Sequence, residues 1–496
     1  MSDTKKVKSK KAEVSSRPKP KAGIILGKDY TIYPDITTLL VNSNCERTST
    51  RAGVNKSVAV YGTSGTGKTK AYAINRILQA VRDEESLIIT DSRGELYKNT
   101  AVHLRNSGYD VKVLNLVNPE NSDMWDCLQA MVASGGDAES FIALLGEVIL
   151  GDIDLTLRQC MMSLLEALYH YLMHGDNYAD EEKNIDEMCK LLTIDTCKHL
   201  QAMFDVLHHE HPTREAFTRF QMFDGITQSS AKAILASRLQ SVRLSVCSEA
   251  IKAPNDIDFS LTEARKSAVF CIVGGLAVKQ RMISALFFRF ALQELMTKAD
   301  SRMEGKLSSH VHFIFDGITD IGHIPDLDRI FSSLQKRKMS VSLIFQSIAQ
   351  LEAEYPGKSM ELINCCDSQL YMGSCCKKTL EHVASLLATS SSKAMLGVGF
   401  SSNNEKMAYL RGLEREKGLA SVRGEWNRSN GAKELVKMDY NEHPDASMLS
   451  LESPMDYIPQ RIINAGQSPP CPSTFFEVEG QGTERPLVLD DVLANL

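Results

Sequence analysis

The sequence predicts an α/β protein in which a parallel β-sheet is covered by helices on both faces. Short segments rich in β-branched residues alternate with sequence of helical character along most of the 496 residues, and this alternation is typical of parallel sheets. The segments are apolar throughout, which indicates burial on both faces. A long helical stretch interrupts the alternation once, which predicts an all-α domain inserted into the α/β domain.

Seven segments are predicted as strands of this sheet. Each is short, apolar and followed by sequence of helical character, as expected when helices connect parallel strands. The predicted strands cover residues 57–61, 86–90, 111–116, 268–273, 311–315, 341–345 and 369–372.

The interruption covers residues 137–255, which contain several helical periods and no convincing strand. In the stretch LRQCMMSLLEALYHYLMH, apolar residues recur at spacings of three and four, as in the buried stripe of a helix. The stripe is interpreted as core packing and consists of Leu157, Cys160, Met161, Leu164, Leu165, Leu168, Tyr171 and Leu172.

A phosphate-binding loop is predicted between the first of these strands and the helix that follows it. Its pattern, G-x-x-x-x-G-K-[ST], points backbone N–H groups at phosphate, while the lysine adds a charge and the final hydroxyl reaches Mg²⁺. ATP and Mg²⁺ are therefore the expected ligands. The loop consists of Gly62, Thr63, Ser64, Gly65, Thr66, Gly67, Lys68 and Thr69.

A metal-binding carboxylate is expected on another strand, because a phosphate loop needs one to hold its Mg²⁺. Asp316, at the end of the predicted strand 311–315, is the best candidate, and Asp91 is the alternative. In most ATPases a glutamate that activates water follows the metal aspartate, but here the next residue is Gly317. Gln346 follows a later strand, where it either senses the γ-phosphate or caps the strand end.

These features divide the chain into five predicted regions. A phosphate-loop (P-loop) NTPase domain is formed by two separate parts, with the helical domain between them. The regions are a disordered basic tail (1–22), the first part of the NTPase domain (23–136), the all-α insertion (137–255), the second part of the NTPase domain (256–390) and an irregular C-terminal region (391–496).

The N-terminal tail differs in charge from the rest of the chain. Residues 1–22 contain eight Lys or Arg and two Asp or Glu, a charge of +6. Since the whole chain has a net charge of −6, the remainder carries −12. Such a segment is expected to be disordered, and its functional interpretation is contact with nucleic acid or with an anionic membrane surface.

The composition is typical of a soluble globular protein, with 43% hydrophobic and 24% charged residues. No run approaches 18 consecutive apolar residues, so no transmembrane helix is expected. No apolar region follows the charged N-terminus, as it would in a signal peptide. A cytoplasmic location is therefore expected, with a peripheral position at the inner face of the membrane as the alternative.

Several stretches, in order along the chain, resemble the type IV coupling proteins of bacterial conjugation (the TraG/TraD class), especially those of Gram-positive mobile elements. Two of these stretches are IITDSRGELYKNTAVHLRNSGYDVKVLNLVNPENSDMWDCL and HVHFIFDGITDIGHIPDLDRIFSSLQKRKMSVSLIFQSIAQLEAEYP, and the first is much more specific to the family than the phosphate loop. The resemblance implies a RecA-like ATPase that forms a hexameric ring and couples a relaxase–DNA complex to a secretion channel. It also implies that single- or double-stranded DNA is a partner, together with the relaxase and other type IV secretion components.

The resemblance also implies roles for individual residues. Lys68 and Thr69 would bind phosphate and Mg²⁺, Asp316 would hold the metal, and Gln346 would sense the nucleotide. Arg337 matches an arginine that could donate charge to a neighbour's site, although an exposed arginine without a special role is the simpler interpretation.

Four departures from the family pattern affect the predicted chemistry. Gly317 replaces the water-activating glutamate, and Asp320 replaces an asparagine four residues after the metal aspartate. The block Asp-Pro-Lys-Gly-Glu reads Asp-Ser-Arg-Gly-Glu here, with Ser92 in the place of proline, and Cys365 replaces an asparagine. The N-terminal membrane helices usual in the family are not found.

Three functions remain open from the sequence. The first is an ATP-driven DNA translocase, in which Asp320 or a group from a neighbouring chain supplies the base. The second, slightly favoured because losing a general base costs about 10²–10⁴ in rate, is a degenerate relative that binds ATP and partners without appreciable hydrolysis. It could join a homo-hexamer or a mixed ring with a membrane-anchored paralogue. The third is an unrelated P-loop NTPase. If only the base is lost, a glutamate at position 317 should raise ATPase activity.

Overall fold

The computed structural model describes most of the chain between residues 55 and 386 and separate segments on either side. The predicted basic tail (1–22) and most of the predicted C-terminal region lie outside the described residues. The described residues are 24–27, 30–32, 47–49, 55–134, 138–151, 153–174, 178–193, 197–243, 255–262, 264–274, 278–386, 402–412, 417–422, 434–439, 452–457 and 459.

Twelve strands occur in the described residues, and nine of them form one sheet. They are β1 (Ile24–Gly27), β2 (Tyr30–Ile32), β3 (Arg47–Ser49), β4 (Val58–Tyr61), β5 (Ser86–Asp91), β6 (Asp110–Asn115), β7 (Ser267–Ile272), β8 (Val311–Asp316), β9 (Met339–Phe345), β10 (Ser368–Tyr371), β11 (Lys417–Val422) and β12 (Glu434–Asp439). The large sheet has the order β12-β11-β10-β4-β9-β8-β5-β7-β6, and β1 to β3 form a separate small sheet.

The seven strands from β10 to β6 are parallel. They coincide with the seven predicted strands, with bounds that differ by no more than two residues. The predicted parallel sheet is therefore confirmed. Short apolar segments were sufficient to predict these strands. Because both faces of the sheet are covered, every position of a strand is buried and requires an apolar residue.

Helices cover both faces of the sheet. On β8, Phe313 and Phe315 belong to the core on one face, and Ile314 belongs to the core on the other. The helices are α1 (Ile74–Asp83), α2 (Glu95–Asn106), α3 (Cys127–Ser134), α4 (Ala138–Leu150), α5 (Leu155–His174), α6 (Ile185–Leu192), α7 (Cys197–Asp205), α8 (Pro212–Gln221), α9 (Gly225–Val242), α10 (Phe259–Thr262), α11 (Val278–Asp300), α12 (Leu327–Leu334), α13 (Ile348–Glu354), α14 (Ser359–Asn364), α15 (Lys377–Leu386) and α16 (Asn403–Arg411).

The described residues between β6 and β7 form helices and connecting turns, with no strand among them. Six residues of the predicted stripe on α5 are buried, whereas Leu157 and Tyr171 pack at its margin and Tyr169 is buried in addition. The two connections to the sheet lie side by side. Asp126 N–H donates to Asn255 Oδ1 at 2.8 Å, and the Asn255 amide donates to the Asp126 carbonyl at 2.8 Å. The chain therefore leaves the sheet and returns to it at the same place, as an inserted domain requires.

The expectation of irregular structure after residue 390 was wrong for three segments. Helix α16 forms there, and β11 and β12 extend the sheet from β10 in antiparallel fashion. These strands are stabilised by the free edge of β10, which supplies hydrogen-bonding partners from a distant part of the chain. Local sequence does not reveal such an edge.

Candidate functional site

Four neighbouring parallel strands end at one edge of the sheet and build a cavity there. Strands β4, β9, β8 and β5 lie side by side in the sheet, and the residues that follow them line a cavity of about 380 Å³. The phosphate loop (residues 62–69) follows β4, Gln346 follows β9, and Asp316 ends β8, with Asp320 shortly after it. The fold thus brings together residues that are far apart in the sequence.

The phosphate loop depends on glycine at several positions. Gly65 and Gly67 have φ values of +82° and +92°, which other residues adopt only with strain. At Gly62 a Cβ would lie 2.9 Å from Thr66 Oγ1. Ser64, Gly65, Gly67, Lys68 and Thr69 line the cavity, whereas Gly62, Thr63 and Thr66 lie behind it and make hydrogen bonds within the loop and to its neighbours.

Lys68 stands at the start of the helix that follows the loop. Its ammonium group donates to the carbonyl oxygens of Gly62 at 2.6 Å and Thr63 at 2.9 Å. Burial lowers the pKa of Lys68 from its ordinary value, while the nearby Asp316 carboxylate acts in the opposite direction. A partly buried cation next to an open loop of backbone N–H groups is suited to bind phosphate.

Asp316 is a half-buried carboxylate among other acids. Burial raises its pKa from 3.8 to about 7, and the charges of Asp91, Glu95 and Asp320 act in the same direction, whereas Lys68 opposes them. A carboxylate whose charge is disfavoured in this way gains free energy when a cation approaches. Together with the Thr69 hydroxyl on the same cavity, it forms an oxygen donor set that fits Mg²⁺.

Asp91, the alternative metal ligand, accepts hydrogen bonds from the N-terminus of α2. It lies opposite Asp316 in the register of β5 and β8. Three backbone N–H groups at the start of α2 donate to its two oxygens: those of Arg93, Glu95 and Tyr97, at 3.3, 3.0 and 2.8 Å. Asp91 therefore anchors the beginning of α2, which leaves Asp316 as the better candidate for the metal.

The surroundings of Gly317 contradict the idea that a glutamate would fit there without other changes. Gly317 has a φ of +80°, a conformation that favours glycine. A Cβ at this position would lie 2.5 Å from Oδ2 of Asp320 and 2.6 Å from Oγ of Ser92. A side chain at position 317 is therefore both strained and obstructed, so Gly317→Glu is expected to disturb the site.

The two remaining predicted residues lie at opposite ends of β9. Gln346 follows the strand and is exposed on the cavity. Arg337 precedes the strand and pairs with both oxygens of Asp300 at 2.7 and 2.8 Å. Seven residues of β9 span roughly 23 Å, so Arg337 lies at the opposite edge of the sheet from its own cavity. Any role in phosphate chemistry would require the cavity of a neighbouring chain.

Sequence reasoning missed the role of a brace formed by residues 452–457. The carboxylate of Glu452 accepts hydrogen bonds from the Tyr97 hydroxyl and the Arg105 guanidinium. Arg105 also lies over the rings of Tyr97 and Tyr457, 5.8 Å from each ring centre. The brace thus supports α2, whose N-terminus carries one wall of the cavity. No local pattern indicates a contact between segments so far apart.

The sequence of residues 6–391 matches the protein family described as Type IV secretory system Conjugative DNA transfer. The match covers well over half of the chain. The chain belongs to this family. As a coupling protein of this kind, it is a component of conjugative DNA transfer by type IV secretion with a nucleotide-binding fold.

Solved structures resemble this coupling protein in fold. The trigonal form of the bacterial conjugative coupling protein TrwBdeltaN70 in complex with sulphate is 14% identical, with a TM-score of 0.58 over 81% of this chain and 88% of that chain. Plasmid coupling protein TrwB in complex with ADP and Mg²⁺ is 14% identical, with a TM-score of 0.55 over 80% and 88%. VirB4 of Thermoanaerobacter pseudethanolicus is 15% identical, with a TM-score of 0.52 over 86% and 99%.

Because the identities are low, these structures show a likeness in fold alone. That likeness confirms the predicted P-loop NTPase architecture with its helical insert. No curated protein matches the sequence of this coupling protein. Among the helices in the described parts of the chain, none combines the length and apolar character needed to cross a bilayer.

Proposed function

We propose that this coupling protein binds ATP and Mg²⁺ in the cavity at the carboxyl edge of its sheet and uses nucleotide binding to link a relaxase–DNA complex to the transfer channel. One observation carries the proposal above all others. The phosphate loop and the half-buried acid Asp316 line the same cavity, although Lys68 and Asp316 are 248 positions apart in the sequence; Lys68 follows β4, and Asp316 ends β8.

Each predicted site residue has a role in this proposal. Lys68 and the N–H groups of the phosphate loop would bind the β- and γ-phosphates, and Thr69 and Asp316 would hold the metal. Bound Mg²⁺ would neutralise charge on the phosphates. Gln346 would contact the γ-phosphate from the neighbouring strand, and Arg337 would act on the cavity of an adjacent chain.

The solved structures of the coupling protein TrwB support the ligand class. TrwB has been solved with ADP and Mg²⁺ and with non-hydrolysable analogues of ATP and GTP. We further propose that this chain is of the type found in Gram-positive mobile elements, and that it forms a homo-hexamer or a mixed ring with a membrane-anchored paralogue. Its place would be the cytoplasm or the inner face of the membrane. An interaction protein that does not hydrolyse ATP would need the same binding site.

Calorimetric titration of ATP with Mg²⁺ tests the proposed site directly. Lys68→Ala removes a charge-assisted contact worth roughly 1.5–3 kcal/mol, so the affinity should fall by about tenfold or more. Lys198→Ala is a matched control, because Lys198 is exposed on α7. Equal affinities of Lys68→Ala and the wild type would reject the cavity as the nucleotide site.

The basic tail is a separate part of the proposal, since residues 1–22 lie outside the described residues. If the tail contacts DNA or anionic lipid, its deletion should weaken binding and flatten the dependence of affinity on salt. The measurement is a salt titration of binding to single- and double-stranded DNA and to vesicles with anionic lipid. Identical slopes with and without the tail would remove it from the interface.

A further inference from the structure

Three departures from the family pattern meet at one point of the cavity. Ser92 follows β5, whereas Gly317 and Asp320 follow β8. The Ser92 hydroxyl lies 2.9 Å from Oδ2 of Asp320, and a Cβ at Gly317 would lie within 2.6 Å of both side chains. Substitutions that look unrelated in the sequence therefore occupy one small volume beside Asp316.

Because Gly317 has no side chain, the Asp320 carboxylate can occupy the space beside it. Its φ of +80° and the short distance of 2.5 Å between a hypothetical Cβ and Asp320 Oδ2 exclude an ordinary side chain in this arrangement. The N–H of Asp320 donates to the Gly317 carbonyl at 2.8 Å, which closes a tight turn. The turn brings the carboxylate back beside the end of β8.

Ser92 holds this carboxylate in position. Its hydroxyl lies 2.9 Å from each of two acceptors, the Asp316 carbonyl and Asp320 Oδ2, so its single proton is shared between the end of β8 and the turn that follows. The proline of the family pattern at this position has no hydroxyl group and could not make this contact. No hydrogen bond to Asp320 Oδ1 is found within the described residues, and Asp320 lines the cavity.

We infer that the water-activating carboxylate has moved from position 317 to Asp320, with Ser92 as its positioning residue and Gly317 as the residue that makes room. The inference rests on the proposed binding of ATP in this cavity. Asp320 orients a water molecule toward the γ-phosphate. As the water oxygen bonds to the γ-phosphorus, one water proton passes to Asp320 and the bond to the bridging oxygen breaks. ADP and phosphate leave, and Asp320 releases its proton to solvent.

Steady-state ATPase measurements test the role of Asp320. Asp320→Asn should lower kcat by about 10²–10⁴ and leave the affinity for ATP within about twofold, since Asp320 acts after binding. The matched control is Asp205→Asn, an exposed acid on α7, which should retain the wild-type rate. Hydrolysis by the wild type that survives Asp320→Asn overturns the inference.

Substitutions at Ser92 separate positioning from a general structural effect. Ser92→Ala should lower kcat with little change in KM, because only the orientation of the carboxylate is lost, whereas Ser92→Thr keeps the hydroxyl and should restore most of the rate. Ser241→Ala on α9 removes an exposed hydroxyl and serves as the control. Equal rates for Ser92→Ala and the wild type would exclude Ser92 as a positioning residue.

A second readout uses the protein without nucleotide. In a double-mutant cycle on thermal stability, Gly317→Ala should lower Tm more in the wild-type background than in the Asp320→Ala background, where the obstructing carboxylate is absent. The strain from positive φ is the same in both backgrounds and cancels. Gly108→Ala, which has φ of +81° and no atom within 4 Å of its Cβ, should be additive with Asp320→Ala. Additivity at Gly317 as well would contradict the inferred contact.

Gly317→Glu distinguishes the relocated carboxylate from a simple loss of the original one. With the carboxylate relocated, Gly317→Glu should lower the ATPase rate, because its side chain displaces Asp320. A rise in rate would overturn the inference. Failure of the wild type to bind ATP would reject the proposed function itself, whereas binding without any hydrolysis would reject only the relocated base.

Discussion

The two sides of the cavity, the phosphate loop and the carboxylate side, differ in the property that suits each of them to bind nucleotide. On the loop side, residues 62–69 rely on backbone conformation, with Gly65 and Gly67 at positive φ. On the carboxylate side, formed by the ends of β5 and β8, the feature is a disfavoured charge: burial, together with the charges of three neighbouring acids, raises the pKa of Asp316 to about 7.

The difference explains why the two sides tolerate change differently. A backbone cradle needs glycine at set positions, so its residues follow a strict pattern. A group of carboxylates needs charge at a position in space, which residues from different strands can supply. The loop here matches the general pattern without exception, whereas the carboxylate side departs from the family at Ser92, Gly317 and Asp320.

The largest expected effect follows from removing the charge of Asp316 on the carboxylate side. The pKa of Asp316 in the folded protein, about 7, exceeds its ordinary value of 3.8, so ionisation costs stability progressively as the pH rises from about 4 to about 7. Asp316→Asn should therefore raise the free energy of unfolding of the nucleotide-free protein by roughly 2–4 kcal/mol at pH 8 and by less at pH 5.5. It should also abolish the Mg²⁺-dependent part of ATP binding.

Denaturant unfolding at both pH values and calorimetry with and without Mg²⁺ check this prediction. Asp205→Asn, at an exposed position on α7, is the control for removal of a negative charge. A variant that is less stable than the wild type at pH 8 would show that the folded protein does not disfavour the charge of Asp316.

A smaller effect is expected on the loop side. Gly65→Ala places a side chain at a φ of +82°, where no atom obstructs it but the left-handed conformation costs about 1–2 kcal/mol. If the loop relaxes and must recover its conformation on binding, the affinity for ATP should fall about 5–30-fold.

Gly108→Ala is the matched control for Gly65→Ala. Gly108 has nearly the same φ, +81°, and is equally unobstructed, but it lies between α2 and β6, away from the cavity. It should lower stability by a similar amount and leave ATP affinity unchanged. Equal affinities for both variants and the wild type would mean that the loop does not depend on its backbone conformation.

The smallest expected effect is on the pH dependence of stability and concerns His312, which lies beneath both sides of the cavity. His312 on β8 is fully buried, with ring nitrogens 2.6 Å from Ser340 Oγ and 2.8 Å from Ser342 Oγ, and Ser342 contacts Tyr72 just after the phosphate loop. Burial lowers the pKa of His312 well below 6.5. The unfolded chain therefore binds the proton more readily, and stability falls as the pH drops through 6.5.

Between pH 7.5 and 5.5 this histidine should contribute a loss of about 1.4 kcal/mol. His312→Asn should reduce the pH dependence of the unfolding free energy by that amount, and His209→Asn, at an exposed position, should not. The measurement is denaturant unfolding at the two pH values. An unchanged pH dependence in His312→Asn would show that His312 is protonated in the folded protein.

Much of the fold was predictable because the signals are local. The apolar segments that became β4 to β10 required burial on both faces, and this requirement is visible in each segment alone. The strands β11 and β12 were not predicted, because they depend on the edge of β10. The predicted regions of the chain stay predictions, although the paired connections at Asp126 and Asn255 agree with an insertion.

The sequence by itself determined the phosphate loop, since eight contiguous residues specify both its glycine conformations and its lysine. Only the tertiary structure decided the other wall of the cavity. Ser92 and Asp320 lie 228 positions apart, and Tyr97 and Glu452 lie 355 apart, so their contacts depend on which strands and segments become neighbours. Strand order is set by the packing of the whole sheet, and no local pattern of residues encodes it.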